Sequence, residues 1–155
     1  MKRLVVALAL IGMFAGSARA ASRVSVQPFD GTLGPDLRKQ VTRMLRDHGF
    51  RVVTSLARVD GTGQYLTLAR DHRLAAFVSG DIEEHKTRHT ITFLVWNGAN
   101  GSVLARWSAS AAPKRLPKAV AKGFWKHFKQ ALQDAAPPAL PEPMDEAPPM
   151  FVDAG

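Results

Sequence analysis

The fold of this chain is decided by residues 23–54, which read RVSVQPFDGTLGPDLRKQVTRMLRDHGFRVVT. Residues 23–29 alternate in a period of two and are rich in valine, which predicts a first strand. From Gly34, apolar side chains recur at helical spacing as far as Gly49, which is placed to end the helix. Residues 50–54 then predict a second strand. A strand, an amphipathic helix and a strand within about 30 residues form a βαβ unit, which requires a parallel strand pair and a right-handed crossover.

The rest of the body continues this alternation and ends in strands that follow one another directly. A shorter helix is expected from Tyr65 to about Arg73, after a loop that contains two glycines. Three strands, predicted at residues 75–82, 90–96 and 103–109, form an antiparallel meander, and an amphipathic helix at residues 117–134 follows. The predicted fold class is therefore α/β: a mixed five-stranded sheet with the order β-α-β-α-β-β-β-α, a parallel βαβ unit and a C-terminal antiparallel meander, packed by helices.

The N-terminal residues 1–20 have the pattern of a secretory signal peptide. Two basic residues precede the apolar run Leu4–Phe14, and small residues stand at Ala18 and Ala20. The apolar run is shorter than the roughly 20 residues that cross a bilayer, so we expect cleavage after Ala20 and no membrane anchor. The predicted location is the periplasm or the outside of the cell.

Two further segments follow, a single α/β domain at residues 21–134 and a Pro-rich acidic tail at residues 135–155. The tail holds six of the ten prolines and four acidic residues, with no lysine or arginine, and this composition predicts disorder. Without residues 1–20 and the tail, 18 basic residues face nine acidic ones. This excess of positive charge favours anionic partners.

No motif in the chain predicts catalysis. Cysteine is absent, which excludes thiolate chemistry and disulfide frameworks. The segment Phe29–Leu33 is similar to a motif of haloacid-dehalogenase-type phosphotransferases, but Pro28 stands where those proteins carry the nucleophilic aspartate. The loop Gly61–Gly63 lacks the further glycine and the lysine of phosphate-binding loops. We therefore expect a protein that is not an enzyme and has no cofactor and no small-molecule substrate.

Two residue sets remain as candidate sites. Glu83, His85 and His89 would meet at the tip of the third and fourth strands if a three-residue loop made the two histidines cross-strand neighbours, and they would then form a metal site for a hydrolase. A polyanion such as lipopolysaccharide, phospholipid headgroups or nucleic acid would instead bind the basic face of the last helix. That face comprises Arg115, Lys118, Lys122, Lys126 and Lys129.

The sequence resembles the amino-terminal domain of TolB and related CsgG-like exported bacterial proteins. The resemblance lies in Gln27–Asp30 after the first strand, Gly49–Val53, Leu68–His72, Phe77–Asp81 and the hairpin Val95–Leu104. It implies an α/β domain without catalytic residues that works by contacting other proteins of the envelope. The expected partner is an unidentified envelope protein, bound at an exposed sheet edge and the hairpin ends.

Overall fold

The computed structural model describes residues 21–141, in which five strands and three α-helices alternate largely as predicted. In chain order these are β1 (Arg23–Val26), α1 (Gly34–Asp47), β2 (Arg51–Val53), α2 (Thr62–His72), β3 (Ala76–Glu84), β4 (His89–Asn97), β5 (Val103–Ala111) and, after a short 3-10 turn at Pro113–Arg115, α3 (Leu116–Asp134). The predicted signal peptide and residues 142–155 of the predicted tail lie outside the described residues.

The strands form one mixed sheet in the order β2-β1-β3-β4-β5. β1 pairs in parallel with β2 and with β3, whereas β3, β4 and β5 pair antiparallel. This confirms the α/β class, the parallel βαβ unit and the C-terminal meander. β1 ends earlier than predicted: the Gln27 N–H still donates to the Val78 carbonyl at 2.9 Å, but Pro28 has no N–H with which to continue the ladder.

Helices α1 and α3 cover one face of the sheet and enclose the main core. Phe93 of β4 lies at its centre, fully buried, with its ring centroid 5.1 Å from that of Phe124 and 6.3 Å from that of Phe128. The end of α1 meets α3 where the His48 ring stacks on Trp125, with 3.6 Å between centroids. Aromatic contacts therefore hold α3 against both α1 and the meander.

Helix α2 covers part of the opposite face. Its buried Tyr65 packs edge-on against Phe77 of β3 and stacks on Trp96 of β4, with both centroid distances 4.8 Å. Farther along the meander this face carries paired hydroxyl groups instead of an apolar layer. The pairs are Thr90–Ser110 at 2.9 Å and Thr92–Ser108 at 2.8 Å. The outer half of the meander is thus packed on one face and polar on the other.

The residue after α3 belongs to the packed body. Ala135 is 5% exposed and joins the core cluster, and the Ala136 N–H donates to the Asn97 side-chain oxygen at 3.4 Å. The chain therefore crosses the β4–β5 connection before it leaves the domain at Pro137, and the predicted tail begins with an anchored residue.

Candidate functional site

The two edges of the sheet differ in length and in charge. β2, at one edge, has three residues and begins with the exposed Arg51. β5, at the other edge, has nine residues, of which only Arg106 is charged. Natural proteins protect sheet edges by keeping them short or by placing charges on them, because unpaired N–H and C=O groups accept a further strand. By both criteria β5 is the unprotected edge.

The outer side of β5 has no hydrogen-bonded neighbour within residues 21–141. The backbone of β5 pairs with β4, and no other described segment donates to or accepts from it. Val103, at the start of the strand, is 46% exposed, an unusual value for a large apolar side chain in this domain. An extended peptide would find both main-chain partners and an apolar contact along this edge.

Helix α3 contacts β5 through the face of the strand and not through its edge. The Trp107 ring stacks on Phe93 at 6.0 Å and on His127 at 4.9 Å between centroids. Gly123 makes this approach possible, since a Cβ at that position would lie 2.2 Å from the Trp107 ring. Aromatic packing therefore fixes the inner face of β5 against α3.

The predicted basic face of α3 is a continuous exposed stripe. Its four lysines share one side of the helix, opposite the buried Phe124 and Phe128, and Arg115 directly precedes the first helical residue; within residues 21–141 none of the five forms an ion pair. They are Arg115, Lys118, Lys122, Lys126 and Lys129, which we call the lysine stripe. The structure brings these residues together, and their binding to a polyanion stays a prediction.

The predicted pairing of His85 with His89 at the β3–β4 hairpin is wrong. The register places Glu84 opposite His89, and the His85 N–H donates to the Arg88 carbonyl at 3.0 Å, so the turn has two residues rather than three. This shift of one residue puts His89 on the face opposite Glu83 and His85. In the part of the chain that the structure describes, no three His, Asp or Glu side chains are close enough to hold a metal ion.

Residues of the phosphotransferase-like segment have structural contacts instead. Asp30 forms an ion pair with Arg58, and Gly31 adopts a positive φ of 92°. Thr32 donates two hydrogen bonds to Glu84 of β3, from its hydroxyl at 2.7 Å and from its N–H at 2.5 Å. These contacts attach the loop before α1 to the hairpin.

We expect the substitution Thr32→Val to raise the pKa of Glu84. The Thr32 hydroxyl, followed by its N–H, holds this pKa below the ordinary value of a glutamate, because both bonds favour the charged carboxylate. The stabilisation is present above the ordinary pKa and is lost as the pH falls through the lower, folded-state pKa. An NMR titration of the Glu84 carboxyl group measures the change.

The control for this titration is Thr90→Val, which removes a hydroxyl that bonds Ser110 across the neighbouring β4–β5 pair. It should leave the Glu84 titration unchanged. If Glu84 titrates at the same pH in Thr32→Val and in the unsubstituted protein, the hydrogen bond from the Thr32 hydroxyl does not persist in solution.

A group of basic side chains that no sequence motif connects lies at the far end of the sheet. Arg23 of β1, Arg51 of β2 and Arg73 after α2 line a cleft of about 560 Å³, together with Ala135–Pro137. Arg23 and Arg51 are direct neighbours in the parallel register of β1 and β2. That register, formed between residues 28 positions apart, brings Arg23 and Arg51 together, and the end of α2 adds Arg73, so the sequence pattern alone did not indicate the group.

Among the comparisons with known proteins, the one with solved structures finds similar chains. No protein-family model matches the chain, and no curated protein is similar to it in sequence. TolB from Acinetobacter baumannii is similar in structure, with a TM-score of 0.51 and 13% identity over 68% of this chain and 28% of TolB. The chain therefore has a TolB-like α/β fold, as the resemblance implied, and corresponds in size to a part of TolB.

Two further solved structures are similar over most of their own length. A PelC dodecamer from Paraburkholderia phytofirmans has a TM-score of 0.48 and 17% identity, over 66% of this chain and 85% of PelC. The LpoB C-terminal domain from Salmonella enterica has a TM-score of 0.48 and 13% identity, over 63% of this chain and 87% of the LpoB domain. Within residues 21–141, no helix has the length and apolar character needed to cross a membrane.

Proposed function

We propose that this chain is a non-enzymatic accessory domain of the bacterial envelope that binds another protein along the outer edge of β5. The observation that carries the proposal is the contrast between the two sheet edges: three residues with an exposed arginine at β2, nine residues with one charge at β5. A long edge with a single charge is poorly protected and favours aggregation unless a partner covers it. Strand addition by an extended segment of another protein is the recognition mode that uses such an edge.

The surroundings of β5 support a protein partner. One neighbouring face carries exposed hydroxyl groups of Ser108 and Ser110, and the exposed Val103 provides an apolar contact at the end of the strand. Main-chain hydrogen bonds supply affinity in strand addition, and alternate side chains supply specificity. The TolB-like fold is compatible with this role, because it offers an open sheet and not a closed barrel.

The lysine stripe supports a second candidate function, binding to a polyanion. Its four lysines lie on one exposed side of α3, Arg115 directly precedes the helix, and none of the five has an ion-pair partner among residues 21–141. Polyanion binding releases counterions and weakens steeply with salt, whereas main-chain pairing at β5 depends on salt only slightly. The two functions can therefore be distinguished by how binding depends on salt concentration and by how it responds to added positive charge.

Adding two lysines to β5 should weaken protein binding without weakening polyanion binding. We expect Val103→Lys/Ser108→Lys to lose roughly tenfold or more in partner affinity, since edge charges disfavour a further strand. The matched control Ser55→Lys/Thr87→Lys adds the same charge to exposed loops and should bind like the unsubstituted protein. The measurement is capture of an envelope protein by the full chain at about 50 and 300 mM salt, read by mass spectrometry.

Three results would separate the candidates. A protein that is retained at both salt concentrations, and is lost only with the β5 variant, supports protein binding along the edge of β5. Retention of only lipid, polysaccharide or nucleic acid, lost at high salt and in the variant Lys118→Gln/Lys122→Gln/Lys126→Gln/Lys129→Gln, supports the lysine stripe. Equal protein capture by the β5 variant and the loop control would contradict binding along β5.

A further inference from the structure

The cleft between Arg23, Arg51 and Arg73, which we call the arginine cleft, contains three cations and no acidic side chain. Its other lining residues are Ala21, Ser22, Ala75 and Ala135–Pro137, and its volume is about 560 Å³. Within residues 21–141, none of the three arginines forms an ion pair. The arginine cleft lies at the β2 side of the sheet and is separate from both β5 and the lysine stripe.

This arrangement has an electrostatic cost in the isolated body. Arg23 and Arg51 are register partners in adjacent parallel strands, so their side chains leave the sheet on the same face, and neighbouring like charges destabilise a sheet. The carboxyl end of α2 offers roughly half a negative charge, which suits Arg73 at the helix C-cap. Half a charge does not balance three guanidinium groups, and an anion bound between them would reduce the remaining repulsion.

We propose that the arginine cleft binds the carboxylates of this chain's own acidic C-terminal segment, residues 142–155. The chain passes along the cleft before it leaves the body, because Ala135, Ala136 and Pro137 form part of the cleft wall. The segment beyond Pro141 has four acidic residues and no lysine or arginine. They are Glu142, Asp145, Glu146 and Asp153.

The connection length allows this contact. Glu142 follows Pro137 by five residues, and a chain of that length spans at most about 17 Å, so the first carboxylate is confined close to the cleft. A short tether of this kind gives an effective concentration in the millimolar range. Guanidinium groups bind carboxylates through paired hydrogen bonds, which is why arginine suits this contact better than lysine.

Reaction of the arginines with phenylglyoxal in the folded full chain tests the proposal. Mass spectrometry gives the rate at each arginine, with the exposed Arg43 and Arg88 as reference sites outside the cleft. The comparison chain is Glu142→Gln/Asp145→Asn/Glu146→Gln/Asp153→Asn, in which no residue of 21–141 is changed. We expect modification of Arg23, Arg51 and Arg73 to become roughly threefold faster in this variant, with the reference sites unchanged.

Two outcomes would overturn the proposal. Equal rates at the cleft arginines in both chains would mean that the acidic segment does not occupy the cleft. An equal increase in the modification rate at Arg43, at Arg88 and at the cleft arginines would mean that the acidic segment is attracted to the basic body without binding a defined site. About 0.5 M salt added to the unsubstituted chain should reproduce the effect of the substitutions, because screening weakens an exposed contact.

Discussion

Phe93→Ala is expected to lower the free energy of unfolding by about 3–5 kcal/mol, the usual cost of removing a large aromatic side chain from a core. Phe93 is fully buried and contacts four other aromatic rings. Its centroid lies 5.6 Å from that of Phe29, 6.0 Å from that of Trp107, 5.1 Å from that of Phe124 and 6.3 Å from that of Phe128. These rings belong to the loop after β1, to β5 and to α3, and they cannot all move into the space left by one side chain.

Urea denaturation of the full chain measures the loss. The matched control is Leu94→Ala in the next position of β4, whose half-buried side chain lies on the opposite face. We expect this control to lose less than half as much as Phe93→Ala, since exposed surface limits the burial lost. If Phe93→Ala lowers the free energy of unfolding by less than Leu94→Ala does, α3 is not packed on the meander as described. β5 would then lack its rigid support.

Gly98→Ala is expected to cost about 3 kcal/mol, although it adds only a methyl group. The Gly98 N–H donates to the Ala75 carbonyl at 2.7 Å, and a Cβ at position 98 would lie 1.9 Å from the Leu74 carbonyl oxygen. The obstacle is backbone and cannot rotate away. The β4–β5 connection must therefore move from the start of β3, breaking the hydrogen bond.

Gly63→Ala in α2 is the control, and its expected effect on stability has the opposite sign. A Cβ there meets nothing within 4 Å, and alanine stabilises a helix relative to glycine by up to about 1 kcal/mol. Thermal unfolding of both variants measures the two effects. A Gly98→Ala protein as stable as the unsubstituted one would contradict the close contact between the β4–β5 connection and β3.

The element order could be predicted because its signals are local. Helix α1 ends at Asp47, and the Phe50 N–H returns to the Leu45 carbonyl after Gly49, whose φ is 86°, as the glycine in the sequence predicts. The period of two in β4 and the apolar stripe of α3 likewise depend on residues close in the chain. These features determined the α/β class and the exposed position of the lysine stripe.

The register of the hairpin at Glu84–His89 could not be predicted from local signals. A turn of two residues and a loop of three are compatible with the same alternating pattern, yet they shift the register by one and exchange the faces of the side chains. The register separated His89 from Glu83 and His85 and joined Glu84 to Thr32 instead. Turn geometry and packing decided this, and both involve contacts with other elements.

The sequence by itself determined the number, order and type of the elements, the positive charge of the body and the lack of a recognisable catalytic motif. Only the tertiary structure decided that β1 lies between β2 and β3, that β5 has an outer edge without a neighbour, and that Arg23, Arg51 and Arg73 share a cleft with Ala135. The physical reason is distance along the chain. Periodicity reports which face of an element is apolar, whereas edges and clefts arise from pairings between distant residues, which local sequence does not encode.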